Sequence, residues 1–154
     1  MGFISSMNTA ATGLTAQRLR MDVIANNLAN AETLRTPEGG PFRRSEIIFR
    51  PITENEQPTW RSHFVARNLQ NGIGQGVRVT EIVEDRTTQP RLVYDPSHPD
   101  AIQSGPRAGY VEYPNVYVVE EMTNMTSAAR AYEANTVVIT TAQQMFQAAL
   151  GIGQ

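Results

Sequence analysis

Apolar residues recur every seven positions near both ends of the chain. At the N-terminal end Met7, Leu14, Met21 and Leu28 form one series, and Ile4, Ala11, Arg18 and Ala25 stand three before each. This 3-4 alternation over almost four heptads predicts a helix with a coiled-coil-like seam, interrupted at Arg18. The helix should end near Asn30, where Asn26, Asn27 and Asn30 are good C-terminal punctuation. At the other end Met125, Tyr132, Ile139 and Phe146 form one series, and Met122, Ala129, Thr136, Gln143 and Leu150 form the other. Pro114 and Asn115 precede that stretch and Gly151 and Gly153 follow it, so a second helix is expected from about Asn115 to Leu150. The two helices would be roughly 40 and 50 Å long. Such lengths suit an elongated molecule whose two ends lie side by side.

The middle of the chain has a different pattern. Val77, Val79, Glu81 and Val83 alternate with Arg78, Thr80, Ile82 and Glu84, which predicts a strand over Gly76–Asp85. Arg44–Thr53, Arg91–Asp95 and Gly109–Tyr113 are further strand candidates. Gly39-Gly40-Pro41, Gly72–Gly76 and Pro96–Pro99 are turn signals. Glu54–Leu69 is polar and weakly patterned, as a long loop would be. All 9 prolines and 20 of the 28 charged residues fall within 33–114, so the chain divides into 1–32, 33–114 and 115–154. The expected fold is mainly α with a β-rich middle. Long N- and C-terminal helices pair in a coiled-coil-like core domain, with a small β extension between them.

Composition sharpens this picture. The helix faces away from the seam carry Ser6, Thr9, Thr12, Thr15 and Gln17 at one end, and Ala128, Asn135, Thr141, Ala142 and Gln144 at the other. An amphipathic helix facing water normally has a charged outer face. Small uncharged surfaces permit packing against other chains on several sides; a low-charge helical hairpin within a monomer is the alternative. The uncharged stretch Ala134–Gln154 is too polar for a membrane span. No Sec-type signal peptide is recognisable at the N-terminus, so composition alone points to the cytoplasm. The 13 basic and 15 acidic residues give a net charge of -2, which argues against nucleic-acid binding. There is no cysteine and no lysine. Thiolate chemistry, Cys-based metal sites, Schiff bases and a Walker lysine are therefore excluded.

One cluster invites a chemical reading. Asp95-Pro-Ser-His-Pro-Asp100 offers two carboxylates, a hydroxyl and an imidazole in six residues. A metal site or a Ser/His pair is conceivable, but neighbours on an extended loop converge poorly on one ion. A proline-fixed turn with Asx and Ser capping is the favoured reading. Gly72–Gly76 lacks a following lysine and leads into a strand, so it reads as a turn whose backbone approaches another surface. Arg43-Arg44 is a pair and not a patch, and Trp60 has no basic-aromatic neighbours for base stacking. The methionines at 7, 21, 122 and 125 are taken as adaptable packing. No catalytic residue, metal or cofactor is expected.

Ala25-Asn-Asn-Leu-Ala-Asn-Ala-Glu-Thr33 resembles the N-terminal signature of bacterial flagellar axial proteins. Gly40-Pro-Phe-Arg-Arg44, Gly76-Val-Arg-Val-Thr80, Val93–Asp100, Gly109–Val116 and Glu120–Met125 follow, and Ala128-Ala-Arg-Ala-Tyr-Glu-Ala-Asn135 is similar to the C-terminal signature. In this order the motifs resemble the flagellar basal-body rod protein family, in its proximal-rod branch. Ile102–Ala108 looks like an insertion, and the N-terminus is a few residues short of the usual leader.

The resemblance implies a non-enzymatic structural subunit with a paired α-helical core and a β-rich extension. Copies would stack helically with other rod proteins and carry motor torque to the hook and filament. The family is exported unfolded by the flagellar type III apparatus and assembles in the periplasm without a cleaved signal peptide. The subunit-packing residues are then expected to be Met7, Leu14, Met21, Asn27, Leu28, Asn30, Met122, Met125, Tyr132, Asn135, Ile139, Phe146 and Leu150. Asn27, Asn30 and Asn135 have two readings: helix capping, or hydrogen bonds between helices that fix register. Two alternatives stand beside this. One is another axial protein with the same terminal signatures, against which the motifs in 76–116 discriminate. The other is a small hydrolase or metal enzyme using Asp95, His98 and Asp100.

Overall fold

The structure, a computed structural model, describes residues 3–52 and 75–152. The expected loop Glu54–Leu69, with Trp60, and the first part of the Gly72–Gly76 turn lie outside the described residues. The element order is α1 (Phe3–Ala29), β1 (Ser45–Pro51), β2 (Val77–Glu84), β3 (Arg91–Tyr94), β4 (Tyr110–Tyr113) and α2 (Val118–Ile152). Long helices thus stand at both ends of the chain with a small β region between them in sequence, as the pattern predicts. Among the described residues β1 pairs with β2 and β3 with β4, in two separate two-stranded sheets. In the second, Arg91 faces Tyr113 and Tyr94 faces Tyr110, antiparallel.

Helix α1 ends through a side chain. The Asn26 backbone carbonyl accepts both the Asn30 N–H at 3.1 Å and the Asn30 side-chain amide at 2.9 Å, so one residue closes the last turn twice. No non-glycine residue has a positive φ among the described residues, so the left-handed asparagine cap is not used. Helix α2 begins three residues later than its pattern suggested. Asn115 is buried with its side chain turned to other segments, and the first turn closes when Glu121 N donates to Tyr117 O at 3.0 Å. Glu120 and Glu121 lie in that first turn, where negative charge is favoured by the helix dipole.

The described residues form two compact units, each drawn from discontinuous stretches. The first takes in residues up to 19, 48–52, 75–81 and 128 onward; the second takes in 20–47 and 82–127. In the first unit the buried apolar residues are all alanines: Ala10 and Ala16 on α1, Ala128 and Ala142 on α2. A Cβ added to Gly13 would stand 3.0 Å from Asn135 Oδ1, so the missing side chain on α1 makes room for the Asn135 amide of α2. Gly76 has φ +127°, and a Cβ there would collide with the Thr12 hydroxyl. That hydroxyl donates to Thr9 O at 2.7 Å and accepts from Val77 N at 3.2 Å, which fastens β2 to α1. In the second unit the buried set is larger: Ile24, Ala31, Val111, Pro114 and Val116.

The seven-residue period is present, but its phase on α1 differs from expectation. Ala10, Ile24 and Ala31 are buried, while Met7, Leu14, Met21 and Leu28 are half-buried at the flank and Ala11, Arg18 and Ala25 are exposed. On α2, Met125, Tyr132 and Ile139 are half-buried beside the Ala128–Asn135–Ala142 row, whereas Met122, Thr136, Gln143 and Leu150 are exposed.

Candidate assembly site

The second unit is built around a buried carboxylate. Glu121 is 1% exposed, on the first turn of α2. Arg44 Nε donates to its Oε1 at 2.8 Å, and Asn27 Nδ2 donates to its Oε2 at 3.2 Å. Asn27, also 1% exposed, reads the backbone of Ser45 from both sides: its amide donates to Ser45 O at 2.9 Å and its carbonyl accepts from Ser45 N at 2.9 Å. Arg44 N donates to Asn115 Oδ1 at 3.0 Å, Asn115 Nδ2 donates to Asp85 Oδ2 at 3.3 Å, and Asp85 N donates to Arg44 O at 2.8 Å. Five segments of chain are thereby tied into one network: α1, the start of β1, the end of β2, the residues after β4, and α2. Burial works against the Arg44 charge, but the hydrogen bond and charge of Glu121, with Glu46, outweigh it and hold the guanidinium above its ordinary pKa. A buried ion pair is tolerated when its remaining polar atoms are hydrogen-bonded, which is the arrangement here.

Of the three asparagines expected between helices, Asn27 takes that role through Glu121. Asn30 instead bonds within its own segment, to Asn26 and Thr33. Asn135 donates to Ala131 O at 2.8 Å within α2, although its side chain packs on Gly13. The sequence reading weighs Arg44 only as half of an arginine pair and Asn115 only as the start of α2, and gives Asp85 and Glu121 no role, so this network is not anticipated. One signal was available: Glu121 stands seven before Ala128 and fourteen before Asn135, on the row that proves to be buried.

Helix α2 carries a second feature. Val119, Met122, Val137, Val138, Met145, Phe146 and Leu150 are all exposed, Leu150 at 59%. Residues 143–151 are exposed without interruption, and there is no charge from Ala134 to Gln154. No described helix is long and apolar enough to cross a membrane. An uncharged apolar helix end of this kind suits contact with another protein surface.

The Asp95–Asp100 loop forms a capped turn. Asp95 Oδ1 accepts from Ser97 N at 3.1 Å and Ser97 Oγ at 2.7 Å. Those Ser97 bonds, with the nearby His98, hold the Asp95 carboxyl below its ordinary pKa. His98 Nδ1 accepts from Asp100 N at 3.1 Å. Asp100 pairs with Arg35 at 2.5 Å. Among the described residues no group of three His, Cys, Asp or Glu could hold a metal ion.

Comparison with known proteins bears on what these surfaces serve. The family described as "Flagella basal body rod protein" matches residues 7–35, and that described as "Flagellar basal body rod FlgEFG protein C-terminal" matches 107–152. The chain is 58% identical to the flagellar basal-body rod protein FlgC of Borreliella burgdorferi over 154 residues, covering 100% of this chain and 99% of that one. It is 38% identical to FlgC of Bacillus subtilis over 97% of each chain. With FlgC of Salmonella typhimurium it shares 34% over 100% of both. Identity of this extent across full-length chains, with both terminal helices matched, means that the chain belongs to the flagellar basal-body rod protein FlgC family.

Proposed function

We propose that the chain works as a torque-bearing subunit of the proximal rod, built into it through its terminal helices. Membership of a structural rod family makes it a non-enzymatic rod component; the finer reading concerns how it is joined. Residues 1–32 and 115–154 would form the core packed against other rod subunits and further copies, with 33–114 as the extension. The half-buried row Met7, Leu14, Met21 and Leu28 and the exposed Met122, Phe146 and Leu150 would be covered by neighbours. Met125, Tyr132, Asn135 and Ile139 would hold the seam beneath. The chain would pass unfolded through the flagellar export apparatus and assemble in the periplasm. The observation that carries this reading is the uncharged end of α2, with Phe146 54% and Leu150 59% exposed on successive turns.

Both side chains are already nearly half covered, so hiding the remainder is worth about 1 kcal/mol each, about 2 kcal/mol together. Replacing both by aspartate (Phe146→Asp with Leu150→Asp) should reduce incorporation into purified basal bodies by roughly thirtyfold or more. Motility in a strain lacking the native protein should fall with it, while the variant is still delivered to the periplasmic fraction. Wild-type incorporation of the double variant would refute the reading of this surface. Delivery of the wild type by a route independent of the flagellar export apparatus would refute the reading of its export.

A further inference from the structure

We propose that β3 is a self-complementary sheet edge, through which two free copies of the chain join antiparallel into one continuous sheet. The β3–β4 hairpin has two outer edges, and the chain treats them differently. On the β4 side Tyr110 O accepts from Ile102 N at 3.0 Å and Tyr110 N donates to Arg107 O at 3.2 Å, so the chain's own loop covers that edge. The β3 side is bare among the described residues: all 4 residues of the strand are exposed, Tyr94 at 66%. The register shows which backbone groups stand free there. Asp95 N donates to Gly109 O at 3.0 Å, so Asp95 turns its backbone polar groups to β4, and by alternation Val93 and Arg91 do the same. Leu92 and Tyr94 therefore direct N–H and C=O outward, with no hydrogen-bond partner for them among the described residues. An edge of this kind is a template for another extended strand.

The residues of β3 select a second β3 as the occupant. With Val93 opposite its own counterpart, Leu92 faces Tyr94 of the partner subunit and Arg91 faces Asp95 of the partner subunit. Each Leu92–Tyr94 pair then exchanges both of its N–H and C=O groups. Apolar side chains meet on both faces, and an ion pair closes each end. Arg91 lies 5.3 Å from the Tyr113 ring centre and pairs with no carboxylate among the described residues. Asp95 gives Oδ1 to Ser97 and has Oδ2 left for a cation. Pro90 and Pro96 lack N–H and fall opposite each other just beyond the paired residues. A slip of two residues would set Leu92 or Tyr94 against a proline, which fixes the register. Such an isologous contact closes on itself, whereas copies in a helical rod all point the same way. The pair is thus a state of the free subunit that parts before assembly, and it stands independently of the α2 contacts proposed above.

The test is sedimentation equilibrium of the purified full-length chain. An edge this short makes a weak contact, so concentrations run from about 10 μM to 1 mM. The weight-average mass should rise from 17.0 kDa towards twice that value. Leu92→Pro deletes an outward N–H and leaves the bonds to β4 in place. Arg91→Asp sets like charges opposite each other at both ends of the contact. Each should weaken association about tenfold or more, with circular dichroism confirming the fold. Arg91→Asp mixed with Asp95→Arg should associate again, because each exchanged charge then meets its opposite. Should Asp95→Arg fail to fold for want of its bonds to Ser97, the Leu92→Pro result decides. A wild type that stays at 17.0 kDa throughout overturns the proposal. So does a mixture of folded variants that does not associate. Association that Leu92→Pro and Arg91→Asp leave unchanged overturns it too; loss of that association in Phe146→Asp with Leu150→Asp would then assign it to the end of α2.

Discussion

Replacing Glu121 by alanine is the sharpest test of how the second unit is held together. The change takes away the acceptor of Arg44 Nε, leaving the guanidinium only its ion pair with Glu46, and removes one of the two acceptors of the Asn27 amide. Losing one member of a buried pair destabilises by about 3–5 kcal/mol, because the remaining charge is left uncompensated. Arg44 keeps 23% of its side chain exposed against 1% for Glu121, so water as well as Glu46 partly compensates the guanidinium left behind. Asn27 also keeps its two bonds to Ser45. Both considerations favour the lower end, about 3 kcal/mol. With a urea slope of about 2 kcal/mol per molar, the midpoint should fall by about 1.5 M. The assay is urea unfolding followed by near-UV circular dichroism, to which Tyr94, Tyr110, Tyr113 and Tyr117 of this unit contribute. The control is the double variant Arg44→Met with Glu121→Leu. It removes both charges and should return to within about 1 kcal/mol of wild type. A loss below about 1 kcal/mol for Glu121→Ala, or a double variant no better than the sum of its singles, would refute the argument that the pair is coupled and buried.

Three further outcomes follow from the geometry. Gly76→Ala should destabilise by about 2 kcal/mol or more in thermal unfolding, from a positive φ and the collision with Thr12; adding Thr12→Ala should relieve the collision but not the backbone strain. Asp85 is held well below its ordinary pKa by hydrogen bonds from Thr88 and then Thr87, so its contribution is present above about pH 4 and lost as pH falls through its folded value. Asp85→Asn should accordingly be less stable than wild type at pH 6, and the gap should narrow steadily in unfolding curves taken below about pH 4. His98→Ala removes one acceptor in a solvated turn and should change stability by less than about 1 kcal/mol and leave motility intact; a non-motile but folded variant would revive a chemical role for the loop.

The helices, their seven-residue period and the four strands were legible because burial imposes a period that the apolar residues must follow. The phase on α1 was not. Met7, Leu14, Met21 and Leu28 are the most apolar row, yet they stay half-buried, while the close approach of the helices is made at Gly13 against Asn135. Hydrophobicity identifies what seeks cover, whereas the contact distance between two helices is set by what is small. The Glu121 network was harder still. Asn27, Arg44, Asp85, Asn115 and Glu121 are scattered over nearly a hundred residues, and only the tertiary path of the strands brings them together. The turn at Asp95 was readable because an aspartate followed two residues later by serine closes on itself without help from distant chain.

The stretch 102–109 has a practical consequence. Ile102 N donates to Tyr110 O at 3.0 Å and Gly109 N donates to Ile102 O at 2.9 Å, so the two ends of the loop are tied to each other. Residues 103–108 between them are all exposed. A loop closed at its base isolates the hairpin from changes in its own length, since added residues alter only a closure entropy that grows slowly. It is therefore a natural port for cargo. In a chain without cysteine, the exposed Ser104, replaced by cysteine (Ser104→Cys), would give a single attachment point for a dye or an affinity handle, from which rod growth could be followed.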